Sequence, residues 1–388
     1  MSKAFSTTKV FVSACAGMAF FGVAMLSLGP ILGPLGETVA GANALQSTLS
    51  IGIIAGTLLF GPVVDRWGYK WLLIISSILA LAGLQGLSRL NGIGPLHASI
   101  FLLGLGGGVL NGLTNALVSD SYDDARRGGK LGLLGAFYCI GALLWTLLNY
   151  FIPDYHLPLD LTSAVMAGFI VFFCFTRFPE AKPAESVSLR KSLGLLRYPA
   201  LLLFGFVLFF QSGFEGASGN FTVSFLDKQG GMSQAAATLA MTWFTIGMLA
   251  GRLPLGVVMK RLGELKTLYT YLFTALAGVL VLTFCHRSVI AVYAAMVLIG
   301  FGAGATFPVV LNFVGGAFRS QSGTAFSIAI FIALVGQSVF NKLTGAAFDA
   351  GNWMFLPYAL VFALAAMMVL VPVALPLAKK MKNNVKTL

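Results

Sequence analysis

Gly61-Pro62-Val63-Val64-Asp65-Arg66-Trp67-Gly68 closes one apolar run and opens the next. The chain repeats the pattern at Gly256-Val257-Val258-Met259-Lys260-Arg261-Leu262-Gly263, an offset of 195 residues. A second landmark agrees: FLLGLGGGV at Phe101 to Val109 returns as VLIGFGAGA at Val297 to Ala305, an offset of 196. Both offsets are close to half of the 388 residues. A duplicated packet of apolar segments places a pseudo-symmetric interface down the middle of a protein. In membrane proteins such interfaces hold substrate pathways.

Working outward from the two copies, apolar stretches of about 20 residues, the span of a bilayer, follow one another with few charges. They read as twelve transmembrane helices at roughly 9–35, 44–64, 69–89, 97–119, 130–152, 160–177, 199–226, 234–257, 266–285, 289–313, 322–347 and 353–378. The expected fold is therefore all-α and integral to the membrane, in two six-helix bundles: 1–177, a linker at 178–198, and 199–388. The linker carries Pro179, Pro183, Ser186 and Ser188 among mixed charges, and it would let two rigid halves rock. Composition supports this class, with 57% hydrophobic and 10% charged residues and a mean hydropathy of +0.88. Soluble domains average about 25% charged residues. Forty-six glycines suit close helix approach in lipid. The first apolar run lacks the short core and cleavage site of a secretory leader.

The net charge of +12 is distributed by side. Of the 25 basic residues, 21 fall in the termini and in the loops on the same side as them. Arg89, Lys228, Arg287 and Lys342 are left for the other side. That skew predicts cytoplasmic termini, an inner or plasma membrane location, and positive charge facing anionic lipid head groups and not nucleic acid. Cys15, Cys139, Cys174 and Cys285 have no metal-ligand spacing and read as small packing residues. No phosphate-cradling Gly-Lys-Ser/Thr loop occurs, and the short loops offer no catalytic grouping. We expect no enzyme activity, cofactor or metal.

The loop Gly61 to Lys70 resembles the G-x-x-x-D-R-x-G-x-[KR] signature of the major facilitator superfamily. Its echo is weaker, with Lys260 in the acid's place. The resemblance implies twelve helices, internal termini and alternating access. Gly61, Asp65, Arg66, Gly68 and Lys70 are the expected gate, with Asp65 and Arg66 making charge-assisted bonds in one conformation only. Within the superfamily, Gly104 to Asn115 is similar to the fourth helix of the fucose–galactose–glucose proton symporters, and Phe210 to Gly219 is similar to their glycine-flanked seventh-helix glutamate. Asn111 stands where better-known members carry a carboxylate, and the first helix has no acid before Glu37.

Of thirteen carboxylates only Glu215 falls mid-helix. An ionised carboxylate at bilayer depth costs several kcal/mol, so it must face a wet cavity, be protonated or find a partner. Gln211, Ser218 and Thr222 share its helical stripe, which reads as cavity-lining. Glu215 is the candidate proton-coupling residue. Asn111, Asn115, Gln211, Glu215, Trp145, Trp243, Asn312 and Gln337 are the candidate substrate contacts, because amides pair with hydroxyls and rings stack on apolar sugar faces. Each also reads as interhelical packing. The expected function is secondary transport of a small sugar-like solute by a monomer, coupled to protons or another cation. The alternative is efflux of drugs, lipids or amphiphilic metabolites.

Overall fold

Eleven helices of the described chain are long and apolar enough to cross a membrane, and a bent pair makes a twelfth. This computed structural model describes residues 5–31, 35, 39, 44–152, 154–179 and 194–386, with side chains up to Leu377 except that of Ser320. Lys3, Glu37 and positions 180–193 of the expected linker lie outside the described residues. The first five helices are α1 (Thr7–Leu26), α2 (Leu45–Trp67), α3 (Tyr69–Arg89), α4 (Ile93–Ser121) and α5 (Asp124–Phe151). They are followed by α6 (His156–Phe175), α7 (Pro199–Lys228), α8 (Gln234–Arg252) and α9 (Leu255–Leu262). The last four are α10 (Glu264–Cys285), α11 (Val289–Ala317), α12 (Ser322–Asp349) and α13 (Phe355–Lys386).

The eighth expected span, 234–257, is not one helix. It breaks between α8 and α9 with a bend of 51°. Pro254 sits at the break, where its missing N–H and its ring deny the i−4 hydrogen bond. The single residues Gly68 and Gly263 join α2 to α3 and α9 to α10. Their φ values of 79° and 78° lie in the left-handed region, which any side chain would strain.

Contacts divide the chain into two units. One comprises Met1–Tyr122, Phe137–Leu193 and Arg319–Ser327. The other comprises Asp123–Ala136, Gly194–Phe318 and Ile328–Leu388. The opening turns of α5 thus group with the second unit, and those of α12 with the first.

The duplication is legible in the packing. In the first unit α2 crosses α4 through Gly52-x-x-x-Gly56 against Gly104-x-x-x-Gly108. A methyl at Gly56 would overlap the Leu105 carbonyl oxygen, and one at Gly108 would overlap that of Ile53. In the second unit α8 crosses α11 through Gly247-x-x-x-Gly251 against Gly300-x-x-x-Gly304, displaced by the same 195 and 196 residues. A methyl at Gly247 would overlap the carbonyl oxygen of Val297, and one at Gly300 that of Phe244. Lipid supplies no hydrophobic drive between helices, so backbone approach of this kind provides the attraction. Leu110, Leu113 and Phe60 fill the core of the first unit, and Val309, Leu311 and Phe204 that of the second, all fully buried.

Candidate functional site

The described structure centres the candidate gate on Asp65. Its carboxylate, 1% exposed, lies at the start of α12 within the first unit. Oδ1 accepts the Gly323 N–H at 3.1 Å, and Oδ2 accepts both the N–H and the hydroxyl of Thr324 at 2.8 Å. The first backbone N–H groups of a helix have no intrahelical acceptor, and the helix dipole favours an anion there. Asp65 therefore caps α12 from another helix. Gly61 is what lets α2 come so near: a methyl there would lie 2.6 Å from Ser327 Cβ and 2.8 Å from the Gly323 carbonyl oxygen. One turn away the Ser327 hydroxyl donates to the Thr57 carbonyl.

A second carboxylate completes this cap. Asp120, at the end of α4, accepts the Tyr69 hydroxyl at 2.5 Å and the Ser322 hydroxyl at 2.9 Å. Asp65 and Arg66 face different partners. Successive residues on a helix point about 100° apart, so the acid faces α12 while the Arg66 guanidinium lies over the Trp67 ring, 5.6 Å from its centroid. Lys70 donates to the Cys174 carbonyl of α6 at 2.7 Å.

The second unit holds the counterpart, built differently. Lys260 is exposed, and a cation is unfavourable at a helix N-terminus. The opening of α5 is capped instead by its own Asp123, whose Oδ1 accepts the Arg126 N–H at 3.0 Å. What remains of the repeat is close backbone approach. A methyl on Gly129 would lie 2.8 Å from Gly256 Cα, and one on Gly132 the same distance from the Leu255 side chain. Arg252, at the end of α8, is buried and donates to the Gly135 carbonyl of α5 at 2.7 Å. Arg127 is 2% exposed and pairs with Asp124 at 2.6 Å.

Glu215 sits sixteen residues after Pro199 and thirteen before Lys228, in the middle of α7. Gln337 of α12 packs on the adjacent Gly216, its Nε2 being 3.2 Å from where a methyl would stand. Gln211 stands one turn before Glu215 on the same helix. Gln211, Glu215 and Gln337 are thus brought together. The stripe expected to line a cavity is largely packed in protein. Gln211, Ser218 and Thr222 are buried, and Gln211 donates to the Ala303 carbonyl of α11 at 3.0 Å. Glu215 itself keeps partial exposure.

Asn111, Asn115 and Trp145 belong to the first unit, and Trp243 and Asn312 to the second. Asn111 and Asn115 are a buried pair on α4 in the first unit. Asn115 Nδ2 donates to the Asn111 carbonyl at 2.8 Å. Trp145 is a pin in the same unit, buried, with its indole N–H on the Leu26 carbonyl at 3.0 Å. Trp243 is 37% exposed beside Tyr293. Asn312 donates to the Glu264 carboxylate at the start of α10. The helix α11 has 29 residues, roughly 44 Å of helix against a hydrocarbon core of about 30 Å. Its twenty-fourth residue therefore stands near an end.

Sequence reasoning missed Asp120, Tyr69, Ser322, Thr324 and Arg252. Arg252 carried a signal, a cation inside an apolar run four residues before the echo glycine. The α12 residues carried none, since a serine and a threonine at a helix start are common and their partners lie far away in the sequence.

Comparison with known proteins bears on this arrangement. The profile of the Major Facilitator Superfamily matches residues 10–223 and 206–387. A Bacillus subtilis (strain 168) protein provisionally named a niacin/nicotinamide transporter, NiaP, is 30% identical over 149 residues, covering 38% of this chain and 37% of that one. YfkF of the same organism, an uncharacterized transporter of the superfamily, is 24% identical over 257 residues, covering 63% and 64%. Each match thus spans less than two thirds of the relative's length. The E. coli fucose:proton symporter FucP superposes with a TM-score of 0.78 at 18% identity, over 94% of this chain and 98% of that structure. The profile spans nearly the whole chain in two successive matches, as the duplicated packing requires, and the chain belongs to the major facilitator superfamily.

Proposed function

We propose that this chain is a secondary transporter for a small neutral polar solute, sugar-like in chemistry, working by alternating access with proton coupling. One observation carries the reading: Glu215, alone among the described carboxylates, stands at the middle of a long membrane helix. Protonation would remove a charge that costs several kcal/mol at that depth. A group that can move through the membrane only when neutral ties the conformational change to a proton. Gln337 supplies a paired donor and acceptor beside it, which suit hydroxyl groups. The fold shared with a fucose:proton symporter adds an analogy.

The moving bodies in this reading are the sequence halves 1–177 and 199–388, joined through 178–198. Asp65 is the latch, because a carboxylate capping a helix of the other half must let go when the halves part. In this reading the termini and the Gly68 and Gly263 turns lie on the cytoplasmic side, which the skew of 21 of 25 basic residues supports. The protein would work as a monomer in a bacterial inner membrane.

The test is transport in liposomes. Glu215→Gln keeps shape and hydrogen bonding but holds no exchangeable charge. It should abolish accumulation driven by an imposed pH gradient while retaining solute exchange, which needs no net proton movement. Gradient-driven accumulation at the wild-type level would remove Glu215 as the coupling residue. Competition by lipophilic cations, with none by hexoses, would replace sugar transport with amphiphile efflux.

A further inference from the structure

A cleft of about 360 Å³ opens in the second unit, where α7 and α12 finish and α8 begins. It lies far from the Gly263 turn and apart from Glu215. Ser224, one of its residues, is nine positions beyond Glu215 on α7. That places it roughly 13 Å along the helix and about half a turn round to the opposite face. The volume is at the lower end for ligand pockets, ~300–1,000 Å³.

The lining is of two kinds. One wall is aromatic: Phe221 meets Phe348 edge-on at 5.3 Å, and Phe348 meets Trp353 at 4.8 Å. The rest is polar. Asn220, Ser224, Gln234 and Asp349 face the cleft. Among the described residues their side chains make no hydrogen bond to protein, and neither does the Trp353 indole N–H. Asn220, Ser224, Gln234 and Asp349 are exposed, so their polar atoms are open to a solute in the cleft. Asp227 has its charge answered by Lys228 at 3.1 Å.

The inventory selects the ligand class. An organic cation would use the carboxylates and leave the amide and indole N–H donors facing it. An anion would use the donors and face Asp349. A hydroxyl group both donates and accepts, so a polyol can engage amides, carboxylate and indole together. The aromatic wall suits the apolar face of a ring. We propose that this cleft is a second solute site, taking a neutral polyhydroxylated molecule of monosaccharide size and separate from Glu215. The ligand class rests on the solute proposed above. The site would present that solute at the membrane surface before it reaches the deep residues. Polyol headgroups of lipids share this chemistry and are the other source to be separated.

The experiment follows Trp353 directly. The full chain is labelled with 5-fluorotryptophan and held in phosphatidylcholine nanodiscs, so that no polyol headgroup is present. Of the five tryptophan resonances, the one missing in Trp353→Phe is assigned to this site. D-Glucose and D-mannitol should shift it saturably, and tetramethylammonium and benzoate should not. Asp349→Asn combined with Asn220→Ala should weaken the titration at least tenfold, and Glu215→Gln should leave it in place. The proposal is overturned if no neutral polyol gives a saturable shift, or if tetramethylammonium does. It is also overturned if Glu215→Gln abolishes the titration, or if phosphatidylglycerol nanodiscs reproduce the shift without added solute. The two readings can fail separately. A Trp353 titration alongside Glu215→Gln liposomes that still accumulate solute sinks the coupling role alone. Loss of accumulation in Glu215→Gln with a silent Trp353 sinks this site alone.

Discussion

Replacing Asp65 by Asn tests the latch at its centre. Asp65 accepts three hydrogen bonds at the start of α12, two of them on Oδ2. An Asn placed there can keep its oxygen toward Thr324, but its NH2 then faces the Gly323 N–H, donor against donor. Bonds to a charged acceptor are worth about 1.5–3 kcal/mol net and neutral ones about 0.5–1.5. Two bonds weakened by about 1 kcal/mol each, with a third lost at about the same cost, give about 3 kcal/mol against the latched state. That is roughly a 100-fold shift in the equilibrium toward its open partner. Ser327, 3% exposed, reports the change, because it is covered by α2 only while the latch is closed. In a background with Cys174 and Cys285, the exposed cysteines, replaced by serine, maleimide labelling of Ser327→Cys should speed up by that factor when Asp65→Asn is added. The melting temperature should be measured alongside, so that opening is told from unfolding. Labelling changed by less than about threefold, under roughly 0.7 kcal/mol, would refute the cap as the gate's energy source.

Further expectations follow from the same contacts. Tyr69→Phe removes a donor from Asp120 and should raise the same labelling rate by about tenfold or less, below the effect of Asp65→Asn. Gly56→Ala and Gly251→Ala each push a methyl into a carbonyl of the facing helix, so both should lower the thermal stability of the purified protein by about 1–3 kcal/mol, and by similar amounts. Gly168→Ala, with open space around it, should be neutral or stabilising by up to about 1 kcal/mol. A cytoplasm-dependent reporter fused after Leu388 should be active, and a silent fusion would reverse the orientation.

Much of this protein could be read without coordinates. Hydropathy marks the spans because lipid leaves backbone groups only the helix for partners. The repeat at Gly61 and Gly256 announces the duplication because only glycine lets these helices touch, so the spacing survives where side chains have diverged. Glu215 stands out for the same economy, since a carboxylate at bilayer depth is too costly to be incidental. Tertiary structure decided what those residues face. Asp65 is bonded to backbone N–H groups of α12, some 258 residues onward, and backbone donors leave no mark in a sequence. The motif marks Asp65 and Arg66 as a set, and only the fold says that they face different partners. Asn312, expected among the substrate contacts, stands near the end of α11 and donates to Glu264. Periodicity names the face a residue shares and not the helix opposite. That is why Gln211, Ser218 and Thr222 shared a stripe in the sequence and proved to be packed in protein in the fold.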